Sequence, residues 1–167
     1  MYALRTLVSG GLDREPSTER LVAFEQRAER TRLRGLVLAL CAVLYMGFIH
    51  YLSSIPGDPT IEADLPRLLL QWLNSSVQDL LHVPLYAVLA WLWCRALGEM
   101  RLGKAVSVSI AVGITLLYAG FDEWYQGSIP GRTASLTDWI LDAVGVAAGS
   151  WLYVRQLAAQ SLTAHRP

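Results

Sequence analysis

Asp79, His82 and Tyr86 are spaced i, i+3 and i+7, which puts all three on one face of a helix. Tyr118, Asp122 and Gln126 repeat every four residues, with Glu123 beside them, and share a face in the same way. Asp138 and Asp142 are four apart and in line with Gly145 and Gly149. Between the last two groups stands Arg132, behind the turn Pro130-Gly131. A histidine among carboxylates has the donors and acceptors to move a proton or to hold a metal. An arginine has the planar fork that grips phosphate or carboxylate through two bonds. Each residue also has a plainer use. Asp79 and Asp138 complete Ser76-Val77-Gln78-Asp79 and Ser135-Leu136-Thr137-Asp138, which read as capping boxes with Asp in place of Glu. His82 can be a satisfied structural histidine, and Tyr86 a packing residue. Asp122 and Glu123 fall at a helix C-terminus, where the macrodipole disfavours anions. Arg132 is the cation expected to compensate them, so that Asp122, Glu123 and Arg132 form one charged cluster with Asp79, His82 or Asp138.

The elements that carry these residues are strongly apolar. Hydrophobic residues make up 53% of the 167-residue chain and charged residues 17%, where a soluble domain has about 25% charged. That balance argues against a disordered chain and a nucleic-acid binder. A bilayer core needs about 20 mostly apolar residues of helix. Four stretches suit it: residues 35–54, about 80–97, about 104–121 and about 136–154. The expected fold is therefore all-α, an integral membrane four-helix bundle. Seven of the fourteen basic residues precede the first span, three (Arg95, Arg101 and Lys104) lie in and at either side of the connection of spans two and three, and two follow span four. The other two connections hold one each, Arg67 and Arg132. This bias orients both termini to the cytoplasm. The polar end of every helix then lies in the outer leaflet. Charges within spans are expensive and face a bundle interior or a wet cavity, so one outward-facing polar pocket accounts for all of them.

Three units follow: residues 1–34 as a charged cytoplasmic segment, 35–155 as the membrane domain and 156–167 as a cytoplasmic tail. Residues 17–34 read as a short charged helix near the inner surface. In the first outer connection, Leu68, Leu69, Leu70, Trp72 and Leu73 suit a short helix lying in the interface. Gly145 and Gly149 form a small-residue surface, for packing inside the bundle or for a homodimer. Cys41 and Cys94 read as buried small apolar residues, and Trp91, Trp93, Trp139 and Trp151 as lipid-facing or interfacial.

The run Asp79-Leu80-Leu81-His82-Val83-Pro84-Leu85-Tyr86 resembles the D-x-x-H-x-x-x-Y start of a span in the VanZ-like family of small bacterial membrane proteins. Asp122-Glu123-Trp124-Tyr125-Gln126, Pro130-Gly131-Arg132 and Asp138 are similar to that family's D-E-x-x-Q…P-G-R…D run, and Ser53-Ser54-Ile55-Pro56 to its S-x-x-P ending. The resemblance covers about residues 35–154. It departs at Leu80, where the family often has Lys, at Val83, where it often has Phe, and at Asp142, where it usually has Asn. It implies a bacterial inner-membrane protein with a cell-envelope role and, from the family's name, an effect on susceptibility to the glycopeptide antibiotic teicoplanin.

Two uses of the pocket stay open beside a small transporter or scaffold. As a binding site, Asp79, His82, Tyr86, Asp122, Glu123, Gln126, Arg132, Asp138 and Asp142 would hold a membrane lipid or a lipid-linked cell-wall precursor. As an enzyme, His82, Glu123 and Asp122 would do chemistry on such a substrate, with no specific catalytic motif to name the reaction. Which cofactor, if any, it uses and whether it depends on a metal stay open. The orientation has a direct test. Thr60→Cys, in a chain whose own cysteines are replaced, should react with an impermeant maleimide on intact cells. Reaction only after permeabilisation would contradict it.

Overall fold

The computed structural model describes residues 18–57, 75–100 and 102–164. Among them are four helices and no strand: α1 (Thr18–Ser53), α2 (Ser75–Glu99), α3 (Lys104–Gln126) and α4 (Leu136–Ala164). The interfacial helix expected at residues 68–73 lies outside the described residues, as do the side chains of Ser75, Ser76 and Val77.

α1 differs from expectation. The charged segment and the first span form one continuous helix of 36 residues, roughly 54 Å long at 1.5 Å per residue. Nothing in residues 18–34 breaks a helix: that stretch contains no proline and no glycine. α4 likewise runs through residue 155 without a stop and ends at Ala164.

Three of the helices are long and apolar enough to cross a membrane, within Arg20–Ser53, Gln78–Glu99 and Lys104–Gln126. α4 is long enough but less apolar, because Asp138, Asp142, Gly145, Gly149 and Ser150 occupy its first half. Those residues serve packing. The α2–α4 pair is the most extensive helix contact in the bundle. A Cβ on Gly149 would collide with the Ala87 carbonyl, and one on Gly145 with that of Val83. The small-residue surface thus lets two backbones touch inside the bundle, the first of its two expected uses.

The polarity of the molecule is inside out. Leu36, Val37, Leu40, Val43, Leu44 and Phe48 of α1 are exposed, as are Leu117 and Trp124 of α3. Asp122, Glu123, Gln126 and Asp142 are buried. Apolar faces this continuous belong against lipid, since soluble monomers rarely expose large contiguous patches. The bundle packs in two layers. One holds Ala42, Ile49, Tyr86, Leu89, Ala90, Ala119 and Val146. The other holds Cys94, Leu97, Ala111 and Tyr153.

Three side chains depart from their expected places. Cys41 is exposed, and only Cys94 is buried. Trp91 is half-buried and donates from Nε1 to Gln156 Oε1 at 3.0 Å. Trp93 is half-buried between both core layers. Tryptophan counts alone do not say which side of a helix faces its neighbours. Trp151 does keep an exposed face, with the Arg155 guanidinium 5.2 Å from its ring centre.

The α2–α4 contact predicts an asymmetry between glycines. Gly149→Ala should destabilise the detergent-solubilised protein by about 1–3 kcal/mol through overpacking, lowering its thermal midpoint. Gly113→Ala, with open space around it, should leave the midpoint unchanged or raise it slightly. Equal effects would contradict the close approach.

Candidate functional site

The C-terminal ends of α1 and α3 and the N-terminal part of α2 meet on one carboxylate. Ser53 Oγ, from the last residue of α1, donates to Asp122 Oδ2 at 2.7 Å. Tyr86 OH, from α2, donates to the same oxygen at 3.3 Å, and Gln126 Nε2, one turn along α3, at 3.2 Å. Gln126 Nε2 also lies 3.3 Å from Ser53 Oγ. Asp122 is 1% exposed and Tyr86 is fully buried. A buried carboxylate without such donors costs several kcal/mol, so the three bonds fix the rotation of three helices at once.

Arg132 joins this network by a route the spacing did not show. It donates from Nε to the Ile55 carbonyl at 3.0 Å, from Nη2 to the Leu52 carbonyl at 3.4 Å, and from Nη1 to Gln126 Oε1 at 3.3 Å. The expected direct pairing with Asp122 or Glu123 is not made among the described residues. Arg132 reaches the acidic set through the Gln126 amide and otherwise satisfies carbonyls at the end of α1, where donors are scarce. Its loop is held by the turn: Gly131 has φ 75°, a left-handed conformation that suits glycine. Gly57 N–H donates to the Pro130 carbonyl at 3.0 Å, tying the end of α1 to the α3–α4 connection. Burial pushes the Arg132 guanidinium below its ordinary range, opposed by Asp122, Glu123 and Asp138. It stays cationic, because arginine starts far above neutral.

Glu123 is compensated differently from expectation. Its Oε2 accepts the Ser135 backbone N–H at 2.9 Å, at the start of α4. The capping serine is in place, since Asp138 N–H donates to Ser135 Oγ at 3.3 Å. The second half of the capping box comes from α3: Glu123, and not Asp138, satisfies the N–H of the cap. A carboxylate at the C-terminus of one helix is thereby set against the positive N-terminal end of the next.

Asp142 is fully buried, and His82 Nδ1 lies 2.8 Å from its Oδ1. The ring of His82 stacks near that of Tyr86, with 6.3 Å between centroids. The departure from Asn at position 142 therefore puts a carboxylate against this histidine.

A cavity of about 90 Å³ opens among these groups. Asp79, His82, Tyr86, Asp122, Gln126, Arg132 and Asp138 line it, together with Ser53 and apolar side chains including Ile49 and Leu85. Seven of the nine residues expected to bind a ligand thus share one cavity. Glu123 and Asp142 stand behind it, next to His82, and one ligand atom from each of these three lies within 4.8 Å of the other two. Asp79 sits on the exposed rim.

Ser53 is the residue that spacing arguments undervalued. A serine at a helix end usually bonds its own backbone, as Ser54 does to the His50 carbonyl at 2.7 Å. The Ser53-Ser54-Ile55-Pro56 motif was the available signal. Tyr118 shares a helical face with Asp122, yet it donates to the Met46 carbonyl at 2.6 Å and serves α1–α3 packing.

Neither the curated proteins nor the solved structures hold a match to this chain. The VanZ/LLP1 family model matches residues 36–159. That match takes in most of the chain, including the polar ends of all four helices and every residue of the cavity. A small membrane protein with its polar groups gathered at one end of an apolar bundle, this chain belongs to the VanZ/LLP1 family.

Proposed function

We propose that the cavity binds the polar headgroup of a membrane lipid or of a lipid-linked cell-envelope precursor. The protein would sit in a bacterial inner membrane with both termini inside and four spans, so that the cavity opens to the outer leaflet. The observation that carries this reading is the pairing of opposite chemistries in one cavity wall. Arg132 supplies a guanidinium for phosphate or carboxylate. Asp122 Oδ1 is buried without a hydrogen-bond partner, which suits a donor such as an amine or hydroxyl on the same headgroup. About 90 Å³ admits one small polar group, well under the ~300 Å³ of a typical drug-sized ligand site. The apolar remainder of an amphiphile would lie along the lipid-facing helices. Teicoplanin susceptibility is one cellular readout of such a role, since that antibiotic acts on cell-wall precursors outside the membrane.

A second reading is a membrane hydrolase or transferase on the same class of substrate. It is favoured by the His82–Asp142 pair, in which a buried carboxylate orients a histidine that faces the cavity, the arrangement of a general base.

The binding reading is tested by native mass spectrometry of gently extracted full-length protein. Wild type should retain about one phosphate-bearing lipid per chain. Arg132→Gln should lose it by about tenfold or more. Because Arg132 also holds the end of α1, Asp79→Asn on the cavity rim provides a variant less able to disturb the fold, and it should change which headgroups are retained. Unchanged lipid retention in both folded variants would overturn the reading. Bound lipid whose headgroup is cleaved by wild type and left intact by His82→Ala would replace it with the enzyme.

A further inference from the structure

Two buried carboxylate oxygens beside His82 have no hydrogen-bond partner: Glu123 Oε1 and Asp142 Oδ2. Their side chains belong to residues 6% and 0% exposed. The cap of α4 uses only Oε2 of Glu123, and His82 uses only Oδ1 of Asp142. A buried acceptor left unmade costs about 1–3 kcal/mol, more for a charged group. Each of these two residues brings a carboxylate oxygen within 4.8 Å of a His82 ring nitrogen, and the pair calls for a shared partner.

Charge points the same way. Asp122, Glu123 and Asp142 are all buried. Arg132 is the one arginine at this end among the described residues, and its bonds go to Ile55, Leu52 and Gln126. Asp122 has three side-chain donors. Glu123 and Asp142 share a single backbone N–H and a histidine.

We propose that His82, Glu123 and Asp142 bind a divalent transition metal, zinc in the first instance, through one ring nitrogen and one carboxylate oxygen each. The three residues come from α2, α3 and α4, so the ion would join three helices. Ligand atoms around a four-coordinate zinc stand about 3.4 Å apart, given bonds of about 2.0–2.1 Å. The three atoms here lie within 4.8 Å of one another, and modest side-chain rotation brings them onto one ion. One nitrogen and two oxygens suit zinc or manganese. Calcium takes six or more oxygens, and magnesium keeps most of its waters. Three protein ligands leave a coordination position for water or for a headgroup oxygen. His82 also lines the cavity, so the ion would sit at its wall and add positive charge where the lining is acidic. This deepens the headgroup-binding reading without depending on it.

The test is titration of chelator-stripped, full-length protein in detergent with Zn²⁺ alone, against a chromophoric competitor. One equivalent should bind, and excess Mg²⁺ or Ca²⁺ should not displace it. Glu123→Gln and Asp142→Asn keep side-chain size and should each weaken binding by about 100-fold or more. Glu99→Gln, which alters a carboxylate paired with Arg95 at the far end of α2 and no ligand, should bind as wild type does. Co²⁺ in place of Zn²⁺ should give a visible ligand-field band that His82→Ala abolishes. Circular dichroism and gel filtration report the fold of each variant. Folded wild-type protein that takes up no stoichiometric Zn²⁺, Mn²⁺ or Co²⁺ would overturn the proposal, as would uptake unchanged in the three ligand variants. Wild-type protein that retains lipid but takes up no metal would overturn the metal site alone, and wild-type protein that takes up zinc but retains no lipid the headgroup reading alone.

Discussion

One carboxylate oxygen, Asp122 Oδ2, receives hydrogens from three helices, and the polar end of the bundle is arranged around that fact. An anion 1% exposed in a low-dielectric interior is stable only with donors placed for it. Ser53, Tyr86 and Gln126 supply them at 2.7, 3.3 and 3.2 Å. Hydrogen bonds to charged groups contribute about 1.5–3 kcal/mol each, while one that is lost leaves both partners buried and unpaired. The register of α1 against α3, and the rotation of α2 between them, follow from satisfying this oxygen. The cavity follows in turn, because the same side chains form its wall.

The rest of the fold supplies the closeness this network needs. Helices in lipid gain little from the hydrophobic effect between themselves and associate through packing and polar contacts. Gly145 and Gly149 let α4 press its backbone onto α2 at Val83 and Ala87, which brings Asp142 within 2.8 Å of His82. The short α3–α4 connection lets Glu123 satisfy the first N–H of α4. Arg132, on the same connection, ties the end of α1 to Gln126. An acidic residue placed badly at the end of one helix becomes well placed once the next helix starts beside it.

Much of this was legible in the sequence. Periodicity placed Asp79, His82 and Tyr86 on one face and Asp122 with Gln126 on another, because a side chain's face depends only on its own helix. Apolar length marked the spans for the same local reason. What could not be read were facts that depend on two helices at once. The spacing suggested an Arg132 pairing with Asp122 or Glu123, whereas the guanidinium goes to carbonyls and to the Gln126 amide. Ser53 stood out only through the Ser53-Ser54-Ile55-Pro56 motif, and its bond to Asp122 on another helix could not be read from that. The role of Glu123 as a cap required knowing how close α4 begins. Cys41, Trp91 and Trp93 were misplaced because counting does not give the rotation of a helix about its axis. The continuous α1 was missed because a change from charged to apolar residues looked like a boundary, although nothing in it breaks a helix.

A double-mutant cycle between Ser53→Ala and Asp122→Ala, read as unfolding free energy of the full chain in detergent, tests most directly whether this carboxylate organises the site. Asp122→Ala should cost more than Ser53→Ala, since it leaves three donors unpaired. The double variant should lose less than the sum of the two by about 1–2 kcal/mol, the coupling of groups in direct contact. Losses that add to within about 0.3–0.5 kcal/mol would contradict the network as the feature that holds the polar end together.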